Sequence, residues 1–380
     1  MTTATTTPAV ATRPQNSLTA GRLPKGASAA ILLGSFVVSA IIFLIAWMAS
    51  GDPFFTVVER SGKLTLNFNW GGWLALGAVI YLIAIYGISR AVEGPRQATN
   101  RFVMGLVTTA FVLAIIPLAS LIYTLVVNGL PGIVQPNFFT NDASVPGQRG
   151  ALHAIVGTLL ITLATSLISV PIGIFTAIYL VEYGKGNIMS KAINFFVDVM
   201  TGIPSIVAGL FAYALFALIT TATGGDLTTV RAGIVGAIAL VVLMIPTVVR
   251  SSEEMIRLVP HELREASYAL GVPKWRTISK VVLPTCLAGL VTGVLLAIAR
   301  VIGETAPLLV AAGLFLRMNG DLFNNQMASL PTFVYQQWGF TTEEGNLLAW
   351  GGALMLLVIV MLLNVVGRLV SHFFSPKGDR

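Results

Sequence analysis

Long apolar runs almost free of charge, separated by short polar stretches, set the pattern of the chain. Eight of them lie at approximately 28–49, 70–90, 102–128, 151–181, 192–222, 232–249, 285–315 and 346–370. A helix crosses the hydrocarbon core in about 20 apolar residues. Inside lipid the backbone must satisfy its own hydrogen bonds, which leaves only helices or a closed barrel. Barrel strands are short and alternate in polarity, whereas these runs are long and uniformly apolar. The expected fold is all-α: a polytopic membrane protein with about eight transmembrane helices.

Composition agrees. Only 10% of the 380 residues are charged and 55% are hydrophobic, against about 25% charged in an ordinary soluble domain. A water-soluble enzyme is excluded. The net charge of +7 does not indicate nucleic acid, because the basic residues sit at the ends of apolar runs and form no stripe beside stacking aromatics. Cys286 is the single cysteine, which excludes an internal disulfide and a cysteine metal site. Three scattered histidines give no metal-ligand spacing, so no cofactor is expected in this chain.

Residues 1–27 are rich in Thr, Ala and Pro, a composition that predicts a disordered tail. The apolar run that follows is too long for the core of a cleaved signal, so it is an uncleaved span. With the N-terminus placed in the cytoplasm, the inside segments hold seventeen Lys and Arg and the outside segments five. The positive-inside rule then puts both termini in the cytoplasm of a multi-pass plasma-membrane protein. Trp47, Trp70, Trp73, Trp338 and Trp350 lie near span ends, as headgroup-level rings do.

Two features carry chemistry. The first is the longest inner connection, 250–284. His261–Leu270 has helical composition, with Pro260 before it and Gly271 where a helix would stop; Pro273 opens a second short helix toward Pro284. Leu263, Tyr268, Leu270 and Trp275 make this pair of helices more apolar than a free loop requires. Either it receives a partner or it lies on lipid as an interfacial pair.

The second feature is a pair of charges inside the seventh run. Arg300 stands about 22 Å along the helix from Thr285 at 1.5 Å per residue, and an ionised group at that depth costs at least ~3 kcal/mol. Glu304, four residues on, would share its face and could neutralise it. The pair is either a brace between helices or an anion site in which Arg300 is the bidentate ligand of a phosphate-like oxyanion. Intramembrane ionisable groups usually mark a transport path, which favours the anion site. Arg300 and Glu304 sum to zero, so a bound anion needs a second cation. Within these spans no other Lys or Arg is available, so that cation is expected from a partner across the pore.

Smaller signals remain. Gly202 and Pro204 interrupt the fifth run, as a kink or as a broken helix at a cavity; Thr201 and Ser205 flank the interruption as candidate hydrogen-bond donors. Asp198 reads as a helix-end carboxylate, His153 as an interfacial residue, Cys286 as a packing residue, and Gly289 with Gly293 as a weak close-packing motif. An intramembrane enzyme is disfavoured because Glu304 is the only acid deep in a run. A passive anion channel would need no partner-docking loop.

Glu265-Ala266-Ser267, then Gly271, then Val281-x-Leu283-Pro284 resembles the EAA loop of ABC importer permeases, with Ser267 and Val281 as its two departures. The resemblance implies that Glu262, Glu265, Ala266, Ser267, Gly271 and Pro284 couple the loop to an ATP-hydrolysing subunit. This chain has no phosphate-cradling loop of its own, so ATP and Mg belong to a separate, dimeric ATP-binding subunit. ARVIGETAPL at 299–308 is similar to the phosphate-specific transport permeases, where sulfate and molybdate importers usually continue with Phe-Gly after the Glu. LHAIVGTLLIT (152–162), AIYLVEYG (177–184), TGIPSIVAGLFAYALF (201–216) and SLPTFVYQQW (329–338) resemble the A-type permease of that system. The implied architecture is a six-helix type I permease domain over 101–375, preceded by a two-helix extension over 28–100. The implied partners are a C-type second permease and an external phosphate-binding protein. The implied cargo is inorganic phosphate, with sulfate or molybdate as the alternative.

Overall fold

A computed structural model describes residues 23–24, 26–50, 55–60, 63–184 and 186–374. The expected disordered tail lies outside them apart from its last few residues. Thirteen α-helices and two β-strands among the described residues build the architecture. In chain order these are α1 (Ala27–Ser50), β1 (Phe55–Arg60), β2 (Lys63–Phe68), α2 (Trp70–Val92), α3 (Pro95–Ile133), α4 (Leu152–Ile178), α5 (Ile188–Thr201), α6 (Ser205–Ala222) and α7 (Gly233–Arg257). They continue as α8 (His261–Ala269), α9 (Lys274–Thr277), α10 (Leu283–Ile302), α11 (Ala306–Ala311), α12 (Leu330–Gly339) and α13 (Glu343–Phe374). Eight helical stretches are long and apolar enough to cross a membrane, as the hydropathy pattern predicts.

Four boundaries differ from the sequence expectation. After the first run, two short strands, β1 and β2, pair antiparallel, with Phe55 opposite Phe68 and Arg60 opposite Lys63, an addition to the all-α expectation. The run 192–222 is two helices, α5 and α6, parted at Gly202–Pro204, where Pro204 is extended at ψ 134°. The run 285–315 is likewise two, α10 and α11, parted at Gly303–Thr305. The run 232–249 continues as α7 to Arg257, so Arg250 belongs to a spanning helix, contrary to the expectation that Arg300 is the only such cation.

The chain divides into two compact units at Leu121/Ile122, inside α3. In the first unit Phe36 of α1 packs on Trp73 of α2 with ring centroids 5.2 Å apart. The ends of three helices meet at Glu93, whose side chain is 3% exposed. Its carboxylate accepts from Leu23 N–H at 2.8 Å, Ser89 Oγ at 2.7 Å and Arg101 Nε at 2.6 Å. Arg101 also donates to Ser28 Oγ at 3.0 Å. The Arg101 guanidinium holds the Glu93 carboxyl down at about 2. A depressed carboxyl contributes stability that is complete above its unfolded value and is lost as pH falls toward the folded one. Amide exchange at the start of α1 and the end of α2 is therefore expected to rise between about pH 4.5 and pH 2, and Glu93→Gln is expected to remove that dependence.

The second unit is organised on α4 and α7, which run side by side in the same direction. Thr165 Oγ donates to the Ala237 carbonyl at 3.3 Å, and Gly173 lies against Val248. Two residues back from the second contact, on either helix, stand Pro171 and Pro246, so both helices lose an amide donor at the same depth. Ile161, Leu240, Met244, Ala297, Val301 and Leu308 fill the core between α4, α7, α10 and α11. Gly289 and Gly293 of α10 face Met255 and Ser251 of α7, so the small-residue motif does seat one helix on another.

Gly209 of α6 lies against backbone, which cannot swing aside as a side chain can. A Cβ there would stand 2.6 Å from Pro307 Cα and 2.7 Å from its carbonyl oxygen. Gly209→Ala is expected to cost about 1–3 kcal/mol through overpacking, read as a lower unfolding temperature in detergent. Gly34→Ala, with open space around it, is the matched control and should not lower it.

Candidate functional site

Arg300 lies in the last turn of α10 and its side chain is exposed in the isolated chain. Nη1 donates to Thr247 Oγ1 at 3.4 Å. Thr247 follows Pro246 and is about 21 Å along α7 from Gly233 at 1.5 Å per residue. The guanidinium is thus at mid-helix depth, as the sequence predicts. Its expected partner is not there. Gly303 ends α10, so Glu304 does not continue the helical face, and among the described residues no ion pair joins it to Arg300. The four-residue spacing pairs charges only on an unbroken helix, and Gly303 with Pro307 breaks this one.

The two helix breaks are neighbours. Gly209, one turn into α6 from Ser205, packs on Pro307, three residues beyond Glu304. Ser205 begins α6 with no side-chain cap over its first amides. The Thr201 hydroxyl is already committed to the Val197 carbonyl at 2.9 Å. Among the described residues no hydrogen bond joins Thr201 or Ser205 to Arg300 or Glu304, so the structure brings their backbones into one region without bonding the side chains. From Thr305 a cavity of about 900 Å³ opens toward α12, walled by Leu314, Tyr335, Trp338 and Phe340. Arg250, one turn along α7 from Thr247, offers no spare charge. It bonds Asp198 of α5 and, at 2.7 Å, Glu253, which also accepts from Arg257 at 2.5 Å. Asp198 is therefore an ion-pair partner as well as a carboxylate near a helix end.

At the other end of these helices, α8 and α9 form the predicted helix pair. Gly271 has φ +75°, a left-handed conformation that glycine adopts without cost. Its N–H donates to the Tyr268 carbonyl at 2.9 Å and ends α8. The second short helix does not stop at Pro284: α9 passes through a π-helical turn, Ile278–Val282, into α10. Glu262, Leu263, Glu265, Ala266, Tyr268 and Leu270 are exposed, as are Trp275 and Pro284. Ser267 departs from the expectation. It is buried, and its hydroxyl bonds Thr277 Oγ1 at 2.8 Å, so it fastens α8 to α9 and does not face a partner. Sequence reading also passed over Glu182 and Arg264, which form a buried ion pair at 2.9 Å; nothing in the sequence separates Arg264 from the exposed basic residues near it. His153, expected at an interface, is 2% exposed and packs edge-on against Phe333 at 5.4 Å.

Residues 169–379 match the family model of the binding-protein-dependent transport system inner membrane component. The chain belongs to that family. This permease is similar to the phosphate transport system permease protein PstA 1 of Mycobacterium tuberculosis, with 43% identity over 75% of this chain and 91% of that protein. It is similar to the phosphate transport system permease protein PstA of Pasteurella multocida, with 37% identity over 74% of this chain and 97% of that protein. Among solved structures, a chain of a bacterial alginate ABC transporter shares the fold, with TM-score 0.54 and 15% identity over 76% of this chain and 100% of that one. The permease is a transport subunit of an ABC importer and not an enzyme, and its spanning helices place it in a membrane as a multi-pass protein.

Proposed function

We propose that the permease carries inorganic phosphate into the cell, forming half of a pathway completed by a C-type second permease. An external phosphate-binding protein delivers the anion, and a dimeric ATP-binding subunit that holds ATP and Mg drives the cycle. The observation that carries this reading is Arg300: a guanidinium at mid-helix depth, exposed on one chain, and not neutralised by Glu304. A cation in that position demands an anion or a covering partner, because an unpaired buried charge is costly. The two similar permeases, both of phosphate transport systems, supply the chemical class. Glu304, Thr201 and Ser205, at the neighbouring helix breaks, are the further candidates for the anion path. With Arg250 already paired, the second cation falls to the partner permease.

The exposed face of α8 and its following turn, with Glu262, Glu265, Ala266, Leu270 and Gly271, is the seat of the ATP-binding subunit, and Pro284 marks where the loop returns to a span. Ser267 acts within the loop. This places the 250–284 end in the cytoplasm, in accord with the excess of Lys and Arg on that side, and puts both termini there, in a bacterial plasma membrane. The permease domain is then 101–375 and the two-helix extension 28–100. In liposomes holding the whole complex, radiolabelled phosphate uptake is expected to require internal or external ATP on the coupling-loop side and to resist excess sulfate or molybdate. Equal competition by sulfate would overturn the substrate assignment.

A further inference from the structure

The proposed docking face leaves open how movement of α8 reaches the spans. Of the residues of α8 only Arg264 and Ser267 are buried, and Ser267 is spent inside the loop on Thr277. Arg264 is therefore the buried side chain by which α8 grips anything beyond its own loop. It uses all three guanidinium nitrogens. Nε donates to Glu182 Oε1 at 3.0 Å, and Nη2 lies 2.9 Å from the same oxygen as an ion pair. Nη1 donates to the Val259 carbonyl at 2.6 Å and Nη2 to the Ile256 carbonyl at 3.0 Å. The first contact holds the π-helical turn Tyr179–Tyr183 that ends α4; the others close the end of α7. Lys274 of α9 reaches the same place, donating to the Glu182 carbonyl and lying 4.6 Å over the Tyr183 ring.

One planar fork thus joins three elements, and two of them lead to the anion site. Above the pair, α4 and α7 pass Pro171 and Pro246 at one depth. The next residue of α7, Thr247, is the one that Arg300 bonds. A buried, multiply hydrogen-bonded charge pair has one good geometry. It transmits a displacement that a sliding apolar contact would absorb.

We propose that Glu182 and Arg264 are positioning residues for transport: their ion pair makes the coupling loop and the inner ends of α4 and α7 one body, so that movement of α8 on the ATP-binding subunit is delivered to the proline level and to Arg300. The inference rests on the function proposed above. Without the pair, nucleotide hydrolysis continues but no longer moves phosphate.

The test is uptake per ATP hydrolysed in the reconstituted full complex, with phosphate-loaded binding protein. Glu182→Gln and Arg264→Gln are each expected to lower that ratio at least tenfold while ATP hydrolysis per assembled complex persists. The double variant is expected to be no worse than the poorer single one, as for residues that act as a unit. Glu182→Asp keeps the charge and shortens its reach, so an intermediate ratio is expected. A wild-type ratio in any assembled Glu182 variant, or uptake and hydrolysis falling in parallel, overturns the proposal; so does a wild-type ratio for Glu182→Asp when Glu182→Gln does not assemble. A wild-type complex without ATP-dependent phosphate uptake would instead defeat the functional reading itself.

Discussion

Replacing Arg300 with Gln is expected to reduce phosphate uptake at least about 100-fold, which corresponds to about 2.8 kcal/mol at 1.4 kcal/mol per tenfold. A hydrogen bond to a charged group contributes about 1.5–3 kcal/mol, and a guanidinium offers an oxyanion two of them in one plane. The fold should tolerate the change. The described bond from Arg300 to the protein is a single long one, 3.4 Å to Thr247, and no ion pair to Glu304 has to be broken. Arg300→Lys keeps the charge as a point and loses the fork, so an intermediate loss of about tenfold is expected. Initial uptake rates, normalised to the amount of assembled complex, decide the matter. Wild-type uptake in the Gln variant would take Arg300 out of the pathway. Glu304→Gln separates its role from that of Arg300. Because the carboxylate is not paired with the guanidinium, its removal should not free an Arg300 that was locked, and any effect is then its own influence on the anion.

What could be read in the chain depended on whether a property is local. Eight spans were legible because apolar length is counted along the sequence. Their ends were less so, because hydropathy measures content and not direction. Phe195, Phe196, Val197, Val199 and Met200 dilute Asp198, so α5 merged with α6 into one run, although Gly202 and Pro204 stood between them in plain view. The sixth run was cut short at Arg250, where a lone charge would end a span. In the fold Arg250 is met by Asp198 and Glu253, and the helix continues to Arg257. Gly303 and Pro307 were equally visible, yet the pairing of Arg300 with Glu304 assumed a helix running through them. The turn at Gly271 was predictable because left-handed backbone is a single-residue property. The Glu182–Arg264 pair was not: the partners are 82 residues apart, and burial of one basic residue among several in a loop is decided only by packing.

The exposed side chain on the coupling loop with the largest expected effect is Leu270. It is 83% exposed at the end of α8, beside the fixed turn of Gly271, with Tyr268 and Trp275 also open to solvent. An exposed substitution away from caps and ion pairs changes stability by about 0.5 kcal/mol or less, so Leu270→Asp should leave the permease folded. In a docked complex the same carboxylate would enter an apolar contact, where a central anchor contributes 2 kcal/mol or more. Affinity for the ATP-binding subunit is therefore expected to fall about 30-fold or more, read as loss of co-purification and of phosphate-stimulated ATP hydrolysis together. Gly271→Ala acts by the other route. It leaves the apolar anchor in place and strains a left-handed position by about 1–2 kcal/mol, so the unfolding temperature of the isolated permease should fall before docking does. The opposite signatures of two adjacent residues distinguish a docking face from an interfacial helix pair lying on lipid: on a lipid-bound pair, Leu270→Asp would weaken membrane contact and leave the ATP-binding subunit in place.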